Sequence, residues 1–136
     1  MRSLSILILF SLSCLACHQP DSISPDTLTG TWIETSAGTD TLIFNLDQTG
    51  HPLPNSILVN RGKERNADGY LIPKIGSGIY QYELQGNTIT VLNMLSSSTQ
   101  RTSYRIEQKG NTLQVDNFFE LGFHQPATAT RTLRRL

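Results

Sequence analysis

Apolar and polar residues alternate with a period of two along most of the chain that follows residue 30. The alternating segments are rich in threonine, isoleucine, valine, tyrosine and phenylalanine, which suit a pleated, half-buried strand. Eight segments show this pattern: 31–36, 40–46, 56–60, 78–85, 88–95, 102–108, 112–119 and 128–136. No segment carries a convincing apolar stripe at helical spacing, so the sequence predicts an all-β fold.

The two faces of each predicted strand differ in polarity. In the fourth segment, Tyr80, Tyr82 and Leu84 share one face, and the polar residues between them share the other. The connections 84–89 and 108–113 each place Gly-Asn between two alternating runs, and both residue types tolerate the positive φ of tight hairpin turns. Together these features predict a small antiparallel up-and-down β-barrel of about eight short strands.

The segment between Gly50 and Gly76 departs from the alternation. Residues 61–69 are charged and bounded by glycine, which predicts an exposed hairpin tip or loop. Three prolines in the rest of the segment disfavour a central strand. We expect this segment to cover one mouth of the barrel.

The N-terminal residues have the pattern of an export signal. An arginine precedes an almost wholly apolar run over residues 4–16, which is shorter than the roughly 20 residues that a transmembrane helix needs. Cys17 follows Ala16, and this end of the run resembles the lipobox of bacterial lipoproteins. The resemblance implies that a signal peptide, residues 1–16, is removed and that the Cys17 thiol is acylated. Acylation of Cys14 and cleavage without a lipid are the alternatives.

Other roles for the two cysteines require features that the surrounding sequence lacks. A C-x-x-C redox motif needs a helix N-terminus that lowers the thiol pKa. A zinc site needs two further ligands, and His18 is the one nearby candidate. A lipid anchor on Cys17 is therefore the preferred interpretation.

The composition after Cys17 predicts a tether followed by one domain. Residues 17–27 contain prolines and no apolar period, as in a flexible tether, and residues 28–136 have the length of a single domain. His18 stands where an inner-membrane retention signal would place aspartate, so we expect an outer-membrane lipoprotein, periplasmic or surface-exposed. The whole sequence has 11 basic and 11 acidic residues and no basic stripe, which argues against a nucleic-acid partner.

The predicted domain resembles the lipocalins and their calycin relatives, and most closely the compact lipocalin-like domains of Bacteroidetes-type lipoproteins. The resemblance rests on Gly30-Thr31-Trp32, the "DTLIFNLDQTG" strand and turn, the "GNTI" and "GNTL" hairpins and the basic last strand. It implies that Trp32 plugs the barrel floor beneath an arginine. Arg131 is the preferred arginine because it shares parity with Leu133, and Arg134 and Arg135 are alternatives.

Residues that could carry chemistry are sparse. The three histidines have no second ligand at helical or strand spacing, and no nucleophile or phosphate-binding motif is present. Three carboxylates near strand ends suit turns and caps: Glu34, Asp40 and Asp47. We expect no enzymatic activity, no metal and no cofactor.

Two function hypotheses follow from the predicted barrel. In the first, the interior binds a small apolar or amphipathic ligand against a wall formed by Phe44, Tyr80, Tyr82, Tyr104 and Leu113. In the second, the same residues fill the core, and the domain binds a protein or glycan through its rim or through segment 50–76, in one version as a protease inhibitor. An open cavity of roughly several hundred cubic ångströms would favour the first hypothesis, and a solid interior the second.

Overall fold

The computed structural model describes residues 22–36, 39–122 and 124–136. The described strands are β1 (Gly30–Glu34), β2 (Thr41–Leu46), β3 (Pro52–Asn60), β4 (Lys63–Arg65), β5 (Leu71–Pro73), β6 (Gly78–Gln85), β7 (Thr88–Asn93), β8 (Thr102–Lys109), β9 (Thr112–Asp116) and β10 (Thr130–Arg135). A four-residue helix, α1 (Pro25–Leu28), precedes β1, and a 3-10 turn, η1 (Phe118–Glu120), follows β9. Neither of these helical pieces is long or apolar enough to cross a membrane.

Eight strands close into an antiparallel barrel in the order β1-β10-β9-β8-β7-β6-β3-β2. Strands β4 and β5 form a separate two-stranded sheet, inserted between β3 and β6. Each of the eight segments predicted from the alternation contributes one barrel strand, and segment 78–85 has the same bounds as β6. The structure therefore confirms the all-β prediction and the closed eight-stranded barrel.

Two of the hairpins use the predicted Gly-Asn turns. Gly86 joins β6 to β7 with a φ of 56°, and Gly110 joins β8 to β9 with a φ of 54°. Residues with a Cβ rarely adopt this left-handed backbone conformation, whereas glycine adopts it without a steric penalty. The recurrence of "GNT" in the sequence thus reflects the same turn chemistry used twice.

The alternating apolar side chains point into the barrel and form one core. The largest of its fully buried side chains include Trp32, Phe44, Tyr82, Phe119, Leu42, Ile57, Ile89, Ile106, Leu113 and Leu133. Burial of a large apolar side chain contributes about 1.5–3 kcal/mol. The core is therefore sufficient to hold the barrel without a disulfide among the described residues.

Helix α1 closes the lower end of the barrel, where β1 begins and β10 ends. Ser24 caps the helix, and Leu28 at its end is completely buried. The Trp32 indole donates a hydrogen bond of 2.7 Å to the Leu28 carbonyl. Residues 25–27, which the sequence assigns to the tether, are thus ordered as part of this closure.

Arg135, not Arg131, stacks on Trp32. The Arg135 guanidinium carbon lies 4.5 Å from the centre of the indole ring, and the same guanidinium donates to the carbonyl of Thr29. The register explains the choice, because Trp32 is paired directly with Arg135 across β1 and β10. Arg131 lies at the opposite end of β10 and makes two hydrogen bonds to Glu120, of 2.6 and 2.8 Å. The prediction of Arg131 was therefore wrong.

The 3-10 turn η1 closes the upper end, where the sequence predicts cover from segment 50–76. The buried Phe118 ring packs against Tyr80 and Tyr104, with ring centroids 5.5 and 5.4 Å apart. From segment 50–76, Gly76 lies directly against the backbone of η1, but the β4–β5 hairpin itself stands outside the barrel. The strand predicted over segment 112–119 ends at Asp116, because the chain then turns inward as η1.

Strand β3 is longer than predicted, because it begins at Pro52 rather than at residue 56. Its first half pairs with β2 alone, through Leu46 and Pro52, beyond a register shift. Pairing with β6 is confined to residues 56–59. A proline on the unpaired side of a strand disrupts no ladder hydrogen bond, so Pro52 and Pro54 are tolerated there.

Candidate functional site

The five residues predicted to form a ligand wall all lie in the barrel interior. Phe44 and Leu113 have no exposed surface, and the three tyrosines are at most 7 % exposed. The Phe44 and Tyr82 rings contact edge to face, with centroids 5.6 Å apart. These side chains therefore pack against one another and against the core.

The hydroxyl groups of the interior tyrosines are engaged within the protein. Tyr80 donates to the Gly76 carbonyl at 2.8 Å, and Tyr104 donates to the Gln125 carbonyl at 2.8 Å. Tyr82 donates to the Asn45 side chain at 3.0 Å. Burial raises the pKa of each phenol above its ordinary value of 10.0. The hydroxyls of Tyr80 and Tyr104 thus anchor loops at the upper end of the barrel, that of Tyr82 bonds to strand β2, and all three are already paired.

A small recess at the upper end reaches Tyr80, Tyr104 and Phe118. Its volume is about 20 Å³. That is room for about one water molecule, whereas sites for small organic ligands occupy roughly 300–1,000 Å³. The interior is therefore filled where the first function hypothesis requires a cavity.

The outer wall of the barrel carries an apolar stripe that the alternation rule does not predict. Ile43 on β2 pairs with Leu58 on β3, and Leu58 pairs with Ile79 on β6, so the three side chains lie side by side across three strands. All three are partly exposed, while their chain neighbours, such as Leu42 and Ile57, are buried in the core. An outward-facing row of aliphatic residues of this kind is a candidate contact surface.

The β4–β5 hairpin stands beside this stripe and turns it into a groove. Lys63 and Pro73 are cross-strand partners, so they share one face of the hairpin, and both line the groove together with the stripe and Leu95. The groove has a volume of about 770 Å³ and is open to solvent. We call this feature the wall groove.

The base of the hairpin is fixed by a network around Arg61. Its Nε donates to Asp40 at 3.0 Å, and one of its terminal nitrogens donates to the Ile75 carbonyl at 2.8 Å. The Lys74 amide donates to the Gly62 carbonyl, and Gly62 adopts a φ of 78° that permits the bend away from the barrel. The wall groove is therefore built from one rigid strand wall and one braced hairpin.

Charged and exposed apolar side chains occupy separate strands of the hairpin beside the wall groove. Lys63 is the one charged side chain among the described residues that line it, and Glu64 points to the opposite face of the hairpin. Leu95, which lines the groove, is 68 % exposed, and three apolar residues in or just after the hairpin are also largely exposed: Tyr70 at 71 %, Leu71 at 58 % and Ile75 at 62 %. The hairpin presents an apolar strand, β5, beside an entirely charged strand, β4.

The remaining predicted residues fall elsewhere. Cys14, Cys17 and His18 lie outside the described residues. Asp47 accepts hydrogen bonds from Thr49 and His51, which lower its pKa from 3.8 to about 2 and confirm its predicted role in a turn. Within the described ranges, no three histidine, cysteine, aspartate or glutamate side chains gather in a way that could hold a metal ion.

Sequence reasoning missed the wall groove, although a signal for it was present. Two strands carry three consecutive apolar residues each, "LIF" at 42–44 and "ILV" at 57–59. Such runs place apolar side chains on both faces of a strand. The pairing that aligns Ile43, Leu58 and Ile79 becomes visible once the register is known.

Comparison with known proteins gives no further guide to this site. No protein-family model, no characterised protein and no solved structure matches the chain.

Proposed function

We propose that this protein is a lipid-anchored, non-enzymatic interaction module of the bacterial envelope, and that it binds a partner through the wall groove. The observation that carries the proposal is the contrast between the two sides of the barrel wall. The inner side is filled by mutually packed aromatic and aliphatic residues, whereas the outer side bears the aligned stripe of Ile43, Leu58 and Ile79. When a partner covers aliphatic groups exposed in this way, apolar surface leaves water and the free energy of the system falls.

The proposal keeps the lipoprotein interpretation of the N-terminus. Acylation of Cys17 would hold the domain at the outer membrane, on its periplasmic or external face. The resemblance to lipocalin-like domains is supported by the closed up-and-down barrel and by Arg135 stacked on Trp32 at the lower end. Binding of a small ligand inside the barrel gains no support, because its predicted wall residues are buried against one another.

Photo-crosslinking in the intact cell tests the proposed binding surface. A photoreactive phenylalanine analogue placed at Leu58 should yield a discrete adduct larger than the protein itself. The matched control position is Gln114, an exposed outward residue on β9, the strand diametrically opposite β3 in the barrel order. Adducts at Leu58 and none at Gln114 are the expected result. Equal labelling at the two positions, or none at either, would remove the wall groove as the binding surface.

The lipid anchor has a separate test. Cys17→Ser should release the protein from the membrane fraction and abolish metabolic labelling with a palmitate analogue. Cys14→Ser should leave both properties unchanged. Continued labelling of the Cys17→Ser variant would assign the acyl group to another residue, and loss of labelling in Cys14→Ser would point to Cys14.

A further inference from the structure

The charge and shape of the wall groove restrict the partner it can hold. We infer that the occupant is an extended polypeptide segment in which aliphatic and acidic side chains lie close together. This inference rests on the proposed function and adds the chemistry of the partner. Its aliphatic side chains would cover Ile43, Leu58 and Ile79, and a carboxylate would lie at Lys63.

Lys63 supplies the charge argument. It is exposed, and none of the ion pairs among the described residues involves it. Arg61 is neutralised by Asp40 at 3.0 Å, whereas Arg65, exposed on the same face of the hairpin as Lys63, is in none of the ion pairs of the described residues. A carboxylate that approaches over the apolar stripe therefore meets Lys63 at the rim, with Arg65 as a second unpaired cation further along the same face of the hairpin. Complementary charges at a rim favour association and select against basic partners.

The dimensions of the wall groove suit an extended chain. Its lining runs from Gln48, beyond the lower end of β2, to Lys63 and Pro73, beyond the upper end of β3. A strand such as β2 rises about 3.3 Å per residue, so its six residues span roughly 20 Å. Gln48, Asn60 and Ser77 place polar groups along the lining, where they can bond to a peptide backbone.

A polypeptide fits these features better than a membrane surface does. The turn of the hairpin is polar, since Asn66 accepts hydrogen bonds from Asp68 and Tyr70 there. A hairpin that entered a bilayer would have to bury this turn first, at a cost of several kcal/mol for its charged and polar groups. Leu95 and the apolar stripe, by contrast, line a concave feature that a chain can occupy.

Fluorescence anisotropy with defined peptides tests the inference. The whole protein, purified from the envelope in mild detergent, is titrated against a short labelled peptide in which valine and aspartate alternate. A second peptide carries lysine in place of every aspartate. We expect the aspartate peptide to bind about fivefold more tightly than the lysine peptide, a ratio at the upper end of what one favourable exposed ion pair contributes.

Charge reversal separates a specific contact from general attraction. Lys63→Glu should weaken binding of the aspartate peptide by about fivefold or more and should strengthen binding of the lysine peptide. Lys109→Glu, which reverses an exposed lysine at the lower end of β8, should change neither affinity. Equal binding of both peptides, or equal effects of the two lysine variants, would overturn the inference.

Two further outcomes distinguish this inference from the proposed function. If the Leu58 photo-crosslink forms in cells and the aspartate peptide does not bind, the surface is correct and the partner chemistry is wrong. If vesicles rich in phosphatidylglycerol bind the protein in a Lys63-dependent way and the peptide does not, the wall groove faces a membrane and the inference fails. Failure of the crosslink with retained peptide selectivity would instead reject the proposed cellular role.

Discussion

Replacement of Trp32 by alanine should strongly destabilise the barrel. The indole is completely buried, it donates a hydrogen bond of 2.7 Å to the Leu28 carbonyl, and the Arg135 guanidinium covers its face at 4.5 Å. Removal of the ring therefore opens a cavity, leaves a buried carbonyl without its donor and separates α1 from the lower end.

The magnitude follows from these losses. Large-to-small replacement of a core tryptophan costs about 3–5 kcal/mol, and a domain of this size is stable by about 5–15 kcal/mol. Trp32→Phe is the matched control, because it keeps most of the ring and loses chiefly the hydrogen bond. We expect that control to cost about 1–2 kcal/mol.

Urea unfolding followed by far-UV circular dichroism measures the difference. Tryptophan fluorescence is unsuitable, since Trp32 is the one tryptophan in the sequence. With a denaturant slope of about 1.5 kcal/mol per molar urea, Trp32→Ala should lower the midpoint by about 2–3 M. A shift below about 0.5 M for Trp32→Ala, or equal shifts for the two variants, would refute the account of a packed floor.

Three further predictions follow from single sites. Gly76→Ala should cost about 1–3 kcal/mol more in chemical unfolding than Gly50→Ala. Both glycines have positive φ, of 85° at Gly76 and 87° at Gly50. A Cβ added at Gly76 would lie 1.8 Å from a backbone oxygen of η1, whereas one added at Gly50 would meet nothing within 4 Å. Equal losses of stability in the two variants would contradict the packing of η1. Hydrogen bonds from Arg131 are the main cause that lowers the pKa of Glu120 from 4.5. These hydrogen bonds stabilise the folded protein fully above pH 4.5, and their stabilisation is lost as the pH falls through the lowered pKa of Glu120. Glu120→Gln should therefore make the free energy of unfolding less sensitive to acid. Asp47 should titrate with a pKa of about 2 in carbon-detected NMR, and a midpoint near 3.8 would show that its turn contacts are absent.

The barrel strands were predictable because the alternation is strong and local. Tyr80 and Tyr82, two apart in β6, are both buried in the structure, as the pattern predicts. The end of β9 was not predictable in this way, because Phe118 and Phe119 are adjacent and both buried. Two neighbouring residues cannot both face the core of a regular strand, so their shared burial, known only from the structure, requires the chain to leave strand geometry there.

Features that depend on the pairing register could not be read from the sequence. Arg131 and Arg135 have the same parity in β10, so parity alone cannot decide which one covers Trp32. The antiparallel register decides in favour of Arg135. The wall groove has the same origin, since Ile43 and Leu58 are 15 positions apart in the chain and become neighbours only through the pairing of β2 with β3.

Methyl NMR with a hydrophobic probe tests most directly whether recognition occurs outside a filled barrel. The whole protein, labelled at isoleucine and leucine methyl groups, is titrated with anilinonaphthalene sulfonate, which is apolar and carries one negative charge. The account predicts shift changes at Ile43, Leu58 and Ile79, with the interior methyls of Leu113 and Ile106 unchanged. Saturable shifts at Leu113 and Ile106, with the outer methyls unmoved, would place the binding site inside the barrel and contradict it.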